Sequence, residues 1–522
     1  MREADASAPV SSLPSMTTAA ATVADNVNPK RWLSLLALCT LTGLVWLTAT
    51  DISIALPTIG KAFGGSMDSL QWAVNGYFLA GSLIVLGGRL SDMRGRRKVF
   101  VAGGVLLLIG SVIAGSASGT EQLVIGRVIE GVGAAAILPS SLAIVAVQFP
   151  ENERAKAIAI WIAVAWGGQG VGPLIGGGLI EAFGWAAIFW INLPLGIAAI
   201  WLVIKTTPET FNTREGAKLD VPGAVVVTGA LVLLSYGLVQ CDTASASQLL
   251  LYFGGSVALF ALFVLVESKA KEPLVPLSVF RRAAFMGAVS ANLLANIVFS
   301  AVIFIMALYL QVVMGYGALK AGALLLPATL VVLAVNVIGE RMTQRQVYRL
   351  PIALGMVILG VGSLFLTDLG GSYASLLPGF ILVGAGIGLQ ITPAAELAVG
   401  SSGAGEGVAS GVFKAMSMIG GSLGVAVSTA VFQNVAVKTF DEPANSALLS
   451  GTPQSTLLDV LVGSQPTSTL SESTLQIVYD AFDNGGGAAM IFCAAVCVVG
   501  ALLAFFLLKG AKTDSDAELA GL

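Results

Sequence analysis

The sequence predicts an all-α membrane protein with fourteen helical spans, and three observations carry that expectation. The 522 residues are 56% apolar and only 11% charged, where a soluble domain carries roughly 25% charged residues. Mean hydropathy is +0.87. The apolar residues fall in continuous runs close to the ~20 residues a bilayer-crossing helix needs, and they lack the every-second-residue alternation of barrel strands. The runs lie at about 32–56, 70–88, 99–117, 122–147, 156–181, 185–204, 221–240, 248–266, 285–313, 321–339, 351–367, 375–398, 408–432 and 486–508.

Charge placement sets the expected orientation. With the N-terminus on the cytoplasmic side, three of the 27 Lys and Arg fall outside (Lys61, Lys320, Lys438) and Arg127 falls within a span. All the others then lie on the cytoplasmic side, which is the bias that retains a topology. Both termini are expected inside, as an even span count requires. Cys39, Cys241, Cys493 and Cys497 have no CxxC spacing; Cys493 and Cys497 share a helical face and read as small core residues. Residues 1–30 form an Ala/Ser/Thr-rich tail without the apolar core of a signal peptide, and are expected to be a disordered cytoplasmic tail.

The first run contains Asp51, an ionisable residue that costs at least ~2.5 kcal/mol at bilayer depth. It is either functional or close enough to the outer surface to be wetted. The second run carries Asn75 and Tyr77 and ends in the charged loop Gly88-Arg-Leu-Ser-Asp92-Met-Arg-Gly95-Arg96-Arg97-Lys98. Asp92 is placed to pair with basic residues and with a neighbouring helix N-terminus. The fourth run holds Arg127 and Glu130 at i, i+3, either a proton relay or a static buried pair. The fifth, WIAVAWGGQGVGPLIGGG from Trp161 to Gly178, has seven glycines from Gly167 on. Each glycine costs about 1 kcal/mol relative to alanine in a helix. Gly168, Gly172 and Gly176 recur every fourth residue, so they form one smooth stripe, for close packing or for a moving interface. Pro173 removes a backbone donor and crowds the Gln169 carbonyl, which favours a kink.

Two polar connections (205–220 and 267–282) bracket two further runs. Beyond them lie Asn292, Asn296, Tyr309 and Gln311, and then a long segment at about 434–485 that holds six acids and one lysine. There Leu475, Val478 and Phe482 give a short amphipathic pattern suited to lying on a surface.

Several of these stretches resemble the major facilitator superfamily, specifically its drug:proton antiporters with 14 spans, a multidrug efflux type. Gly88, Asp92, Gly95, Arg96 and Arg97 match its signature loop. Gly168, Gly172, Pro173, Gly176 and Gly177 match its fifth-helix antiporter motif. The run Arg127-Val-Ile-Glu130-Gly is similar to its fourth-helix motif, with glutamate where glutamine is usual. Thr48 stands where the family's first span carries an acid, and Asp51 lies three residues later. Family-level patterns recur at Trp185–Pro194, at EPLVPLSVFRR, at Tyr309-Leu-Gln311 through Pro327, and at Ala409–Gly424, where Lys414 and Ser417 replace the usual asparagine and arginine.

The resemblance implies two six-helix bundles with pseudo-two-fold symmetry and two extra linker helices. The expected layout is a tail at 1–30, a first bundle at 31–205, a linker at 206–275, a second bundle at 276–510 and a tail at 511–522. It implies a multi-pass, proton-driven exporter of amphipathic or cationic drugs or toxic compounds in the plasma membrane, with antibiotic resistance as the effect. Asp51, Glu130 and Arg127 are the coupling candidates. Trp46, Trp72, Asn75, Tyr77, Trp166, Asn292, Asn296, Tyr309 and Gln311 are candidates for the cavity wall, or else belong to the lipid-facing belt and the core. An exporter of one endogenous lipid, siderophore or antibiotic is the alternative, and a non-transporting sensor a weaker one.

Other chemistry is not expected. Gly420-Gly-Ser-Leu-Gly424 matches G-x-S-x-G, but the chain has no histidine to complete a triad. There is no Walker A motif, hence no ATP; no cofactor or metal site, no nucleic-acid patch and no enzymatic activity are expected. The expected partners are protons, a small amphipathic substrate and membrane lipid, with the protein a monomer.

Overall fold

In a computed structural model the described residues are 28–64, 67–211, 220–240, 244–270, 273, 275–370, 372–402, 406–449, 452–465 and 470–511. Cys241 and most of both expected tails lie outside them. The described residues are helical, without strands. The first bundle comprises α1 (Arg31–Phe63), α2 (Met67–Gly81), α3 (Ile84–Arg94), α4 (Arg96–Gly115), α5 (Thr120–Gln148), α6 (Glu151–Phe183), α7 (Ala187–Trp190) and α8 (Asn192–Thr206). Then come α9 (Val221–Val239) and α10 (Ala246–Lys269). The second bundle comprises α11 (Ala283–Val312), α12 (Ala318–Gln344), α13 (Arg349–Leu364), α14 (Tyr373–Gly400), α15 (Glu406–Asp441), α16 (Pro443–Leu448), α17 (Gln454–Leu461) and α18 (Glu472–Leu507).

The expected fourteen spans each overlap a helix, but the count itself is not confirmed. Among the described residues twelve helices are long and apolar enough to cross a membrane. The α2–α3 pair makes a thirteenth if its 42° bend is one broken span. α13, at 16 residues, is shorter than the bilayer requires.

The bundles meet along α6 against α12, α1 against α11, and α2 and α3 against α15. The linker helix α9 covers the α2–α15 seam, where Leu79, Leu231 and Ile419 form a small cluster separate from the main core. α10 lies outside, packed mainly on α9. Its apolar surface is exposed as a lipid-facing helix requires.

The sequence of α6 explains why it can stand between the bundles. Its first glycine face packs on α1: a Cβ on Gly168 would stand 2.7 Å from the Gly43 carbonyl oxygen, on Gly172 3.1 Å from that of Leu47, and on Gly176 2.7 Å from Asp51 Cβ. Its second face packs on α12, with Gly177 against the Ala318 carbonyl and Gly322 of α12 against that of Pro173. α6 is one unbroken helix through Pro173. The Gln169 carbonyl, which loses its helical donor to the proline ring, instead accepts from Thr50 Oγ1 at 3.1 Å. The neighbouring Gly170 carbonyl accepts from Thr329 Oγ1 of α12 at 3.1 Å. Two adjacent carbonyls of one helix are thus held by hydroxyls from opposite bundles.

The surface helix expected around Leu475–Phe482 is instead the first part of the continuous α18. Val478 and Phe482 are buried, and Phe482 packs on Phe432 at 4.9 Å and on Tyr309 at 5.8 Å between ring centroids. The amphipathic face found a protein partner rather than a membrane surface. Residues after α17 cross the ends of two helices. Gly463 lies against Pro57 of α1 and Val312 of α11, and Ser464 lies against Gly60.

The two glycine environments on α6 yield a stability contrast. Gly176→Ala forces a Cβ onto Asp51 and should destabilise the protein by about 1–3 kcal/mol, the cost of overpacking. Gly167 has open space where a Cβ would go, so Gly167→Ala should be neutral or stabilising by up to ~1 kcal/mol. Thermal melting of the purified variants in one detergent reads both; equal effects would contradict the packing described.

Candidate functional site

The first bundle encloses a buried polar chain built from five helices. Arg127 and Glu130, one turn apart on α5, are both fully buried and pair at 2.7 Å between Nη1 and Oε2. Arg127 Nε donates to the Ala73 carbonyl of α2 at 2.8 Å, and its guanidinium lies 4.3 Å from the Tyr77 ring centroid. The planar guanidinium suits this combination of fork and stacking contacts. The Tyr77 hydroxyl donates to the Val45 carbonyl of α1 at 2.6 Å. Glu130 Oε1 accepts from Ser111 Oγ of α4 at 2.7 Å. Asn192, at the start of α8, donates to Ser111 Oγ at 3.0 Å and to Thr48 Oγ1 of α1 at 3.1 Å. Thr48, the position where the family pattern has an acid, therefore ends this chain of hydrogen bonds.

Asp51 stands one turn beyond Thr48 on α1. It is buried, with Oδ2 lacking a hydrogen-bond partner, and Arg127 and Glu130 are the charges that act on it. The wetted-surface alternative for Asp51 is excluded by this burial. Arg127 Nη2 and Asn192 Oδ1 are also without partners, so the chain has polar capacity to spare. An unsatisfied buried carboxylate oxygen costs on the order of 1–3 kcal/mol.

Ser111 and Asn192 are the residues that sequence reasoning missed. Ser111 is an unremarked hydroxyl in an apolar run. Asn192 appears only as part of the Phe-Trp-Ile-Asn-Leu-Pro pattern. Nothing in their spacing to Arg127 signals contact, because four separate helices bring them together.

The charged segment Gly88–Lys98, expected as a loop, is helical except at Gly95: it is the end of α3 and the start of α4. Arg96 holds Asp92 at 3.0 Å, a half-exposed pair worth about 0–1 kcal/mol. Gly95 has φ +107°, outside the range of ordinary L residues, and turns the chain from α3 into α4. Gly88 packs on Pro139. Arg97 pairs loosely, at 3.8 Å, with Glu209. The helix N-terminus in this corner belongs to α4, and its carboxylate partner is Glu209 rather than Asp92: Glu209 accepts from the Arg97 and Lys98 amides at 2.9 and 3.2 Å. Glu209 lies in a polar connection far from the loop in sequence, so its role as cap was not legible.

Between the bundles lies a small cavity of about 20 Å³, room for roughly one ordered water. It is lined by Ala49, Thr50, Ser53, Val74, Phe78, Gln169, Phe299, Ser300, Ile303 and Val425. None of the eight expected wall residues whose side chains are described is among them, although Trp46, Asn75 and Tyr77 are helical neighbours of ones that are. Trp72 packs on Tyr236 of α9, 6.1 Å between centroids, away from the cavity. Asn75 accepts from Ser422 of α15 at 3.4 Å across the seam. Tyr77 is committed to Arg127 and Val45. Asn292 donates to the Phe413 carbonyl and Ser417 Oγ at 2.7 and 2.9 Å, and Asn296 to Asn292. Tyr309 packs on Phe482, and Gln311 donates back to Ala307. The side chain of Trp166 lies outside the described residues. In each case helical face, which an apolar run hides, decided the placement.

Arg127 is also not alone at membrane depth. Lys414 of α15, counted from sequence with the cytoplasmic residues, sits in the seam with Nζ 5.3 Å from the Trp46 ring centroid. Its position as the seventh residue of the 408–432 run was the available signal.

Removing one member of the Arg127–Glu130 pair leaves a buried charge uncompensated, which typically costs about 3–5 kcal/mol. Glu130→Ala should lower thermal stability by that order, and Ser111→Ala by about 1 kcal/mol. Melting curves in which Ser111→Ala melts below Glu130→Ala would contradict the order of contacts.

The Major Facilitator Superfamily profile matches residues 33–425. The chain is 30% identical to the tetracenomycin C resistance and export protein of Streptomyces glaucescens over 522 residues, 95% of each chain. It is 31% identical to the multidrug resistance protein Stp of Mycobacterium tuberculosis over 428 residues, 81% of this chain and 79% of that one. Among solved structures, a bacterial homolog to the human lysosomal transporter Spinster shares the fold, with a TM-score of 0.63, 18% identity, and coverage of 92% of this chain and 97% of that one. This chain is a multi-pass membrane protein that belongs to the Major Facilitator Superfamily, a family of transporters rather than enzymes.

Proposed function

We propose that this protein is a proton-coupled exporter that moves amphipathic or cationic compounds out across the plasma membrane by alternating access, with both termini in the cytoplasm. The observation that carries this reading is the position of Asp51. It is buried, has an unpartnered oxygen, and lies against Gly176 on the helix that stands between the bundles. Gly177, the next residue of α6, packs on α12 of the second bundle, so a change in the charge of Asp51 acts on the helix through which the bundles meet. Glu130 and Arg127, tied to Thr48 through Ser111 and Asn192, supply the second titrating group and its counter-ion. The resistance and export proteins to which the chain is similar support the efflux direction.

The energetics suffice. A membrane potential supplies about 2.3 kcal/mol per charge per 100 mV, and a pH unit about 1.4 kcal/mol per proton. A tenfold outward substrate gradient needs about 1.4 kcal/mol, so one proton moved supports it.

The similarity to the tetracenomycin C exporter over 95% of both chains favours one further reading, export of a single antibiotic-like product. A panel of unrelated dyes separates the two, since a narrow exporter accumulates at most one.

The decisive experiment is ethidium accumulation in inverted vesicles under an imposed proton gradient. Native protein should accumulate the dye only with the gradient, and Asp51→Asn should abolish that accumulation while melting like the native protein. Gradient-driven transport that survives Asp51→Asn would overturn the coupling role of Asp51.

A further inference from the structure

The cavity between the bundles is small, but its walls are chemically distinct. Ser53 of α1 and Gln169 of α6 reach it from the first bundle, and Ser300 of α11 reaches it from the second. Neither serine hydroxyl nor the Gln169 carboxamide has a hydrogen-bond partner among the described residues. Thr50 beside them is already committed to the Gln169 carbonyl. Phe78 of α2 and Phe299 of α11 line the cavity from opposite bundles and are otherwise buried, 7% and 3% exposed. No ionisable side chain is part of this wall: Asp51, Arg127, Glu130 and Lys414 all lie outside it.

A mostly apolar wall with a few convergent polar groups is the composition of a small-molecule pocket. A buried hydroxyl or amide is costly until it finds a partner. At about 20 Å³ the closed cavity has room for one water in that role. Ser53 and Gln169 stand on one bundle and Ser300 on the other, so parting of the bundles widens the same walls into a slot between two phenylalanine rings. A compound that enters keeps its affinity only where it reproduces the hydrogen bonds a water would make there. Each of the three groups both donates and accepts, so together they match hydroxyl and carbonyl oxygens. A full charge brought against this wall meets no counter-charge, and its desolvation goes uncompensated.

We propose that Ser53, Gln169 and Ser300 form a substrate subsite for an uncharged, oxygen-bearing ring system, a flat aromatic body carrying hydroxyl or carbonyl groups, with Phe78 and Phe299 on its faces. Any charged group on the same compound is left outside the subsite. The subsite rests on the alternating-access reading for the parting of its walls, and it deepens that reading by naming the chemistry the walls recognise.

Binding tests this independently of transport. Fluorescence titrations of 1,8-dihydroxyanthraquinone and of ethidium are run against the purified full-length protein in lipid nanodiscs, with empty nanodiscs as the blank. At mildly acidic pH the anthraquinone is uncharged and oxygen-bearing, whereas ethidium is a cation without oxygen. Native protein should bind the anthraquinone saturably above the blank. Ser300→Ala and Gln169→Leu should each weaken that binding by about three- to tenfold, the value of one hydrogen bond, and shift ethidium affinity by about twofold or less. Ser53→Ala combined with Ser300→Ala should lose more than either alone, because the two hydroxyls come from opposite bundles. If Gln169→Leu does not fold by thermal melting, Ser53→Ala takes its place. Absent saturable anthraquinone binding, native-like anthraquinone affinity in the variants, or loss of both probes by the same factor would each overturn the subsite. The expected binding results without gradient-driven ethidium accumulation would support the subsite and overturn proton-coupled export alone.

Discussion

Backbone approach along α6 is the constraint on which the rest of the structure depends. The helix can lie between two bundles only because its glycines remove the side chains that would hold α1 and α12 away, and because α12 presents Gly322 in return. Interior packing at this density leaves no slack for an added methyl group. Thr50 and Thr329 then hold adjacent carbonyls of α6 from opposite sides. Pro173 frees the Gln169 carbonyl, so the proline and the threonine form one device rather than two features.

The same contact brings electrostatics and packing together. Gly176 closes on Asp51, and one turn away Thr48 ends the hydrogen-bonded chain from Arg127. A charged pair deep in a low-dielectric interior is tolerable only when its remaining valences are met. Here Ser111, Asn192, the Ala73 carbonyl and the Tyr77 ring meet nearly all of them. Three of the unpartnered buried atoms among the described residues, on Asp51, Arg127 and Asn192, lie in this region of the first bundle.

At the seam, polarity is distributed unequally. The first bundle holds the buried acids Asp51 and Glu130, and the second contributes Lys414 across to Trp46. The linker helix α9 seals one side of the α2–α15 contact through apolar residues and the Ser235–Ser422 contact at 3.5 Å. The segment around Gly463 and Ser464 crosses the ends of α1 and α11 at another. The seam is therefore closed by glycines and hydroxyls over most of its length and by a cation at one point.

Composition and run length alone determined the membrane class, because transfer of apolar surface and the bilayer's thickness act on each segment independently of its neighbours. Local spacing also determined the Arg127–Glu130 pair, since i, i+3 places two side chains together on any helix, and the smooth stripe of Gly168, Gly172 and Gly176. The helices of a membrane bundle are apolar all round, however, so periodicity does not reveal which face looks at a cavity, a lipid or another helix. That is why Trp72 and Tyr309 were expected on the cavity wall and stand elsewhere. It is also why Ser111, Asn192, Glu209 and Lys414 acquired their partners only when distant segments were brought together. The helix count shows the same division: twelve runs declare themselves by length, whereas the α2–α3 break and the short α13 depend on packing. Each residue's capacity for chemistry was legible in the chain; its partner was decided by the tertiary structure, because contacts between helices have no counterpart in sequence separation.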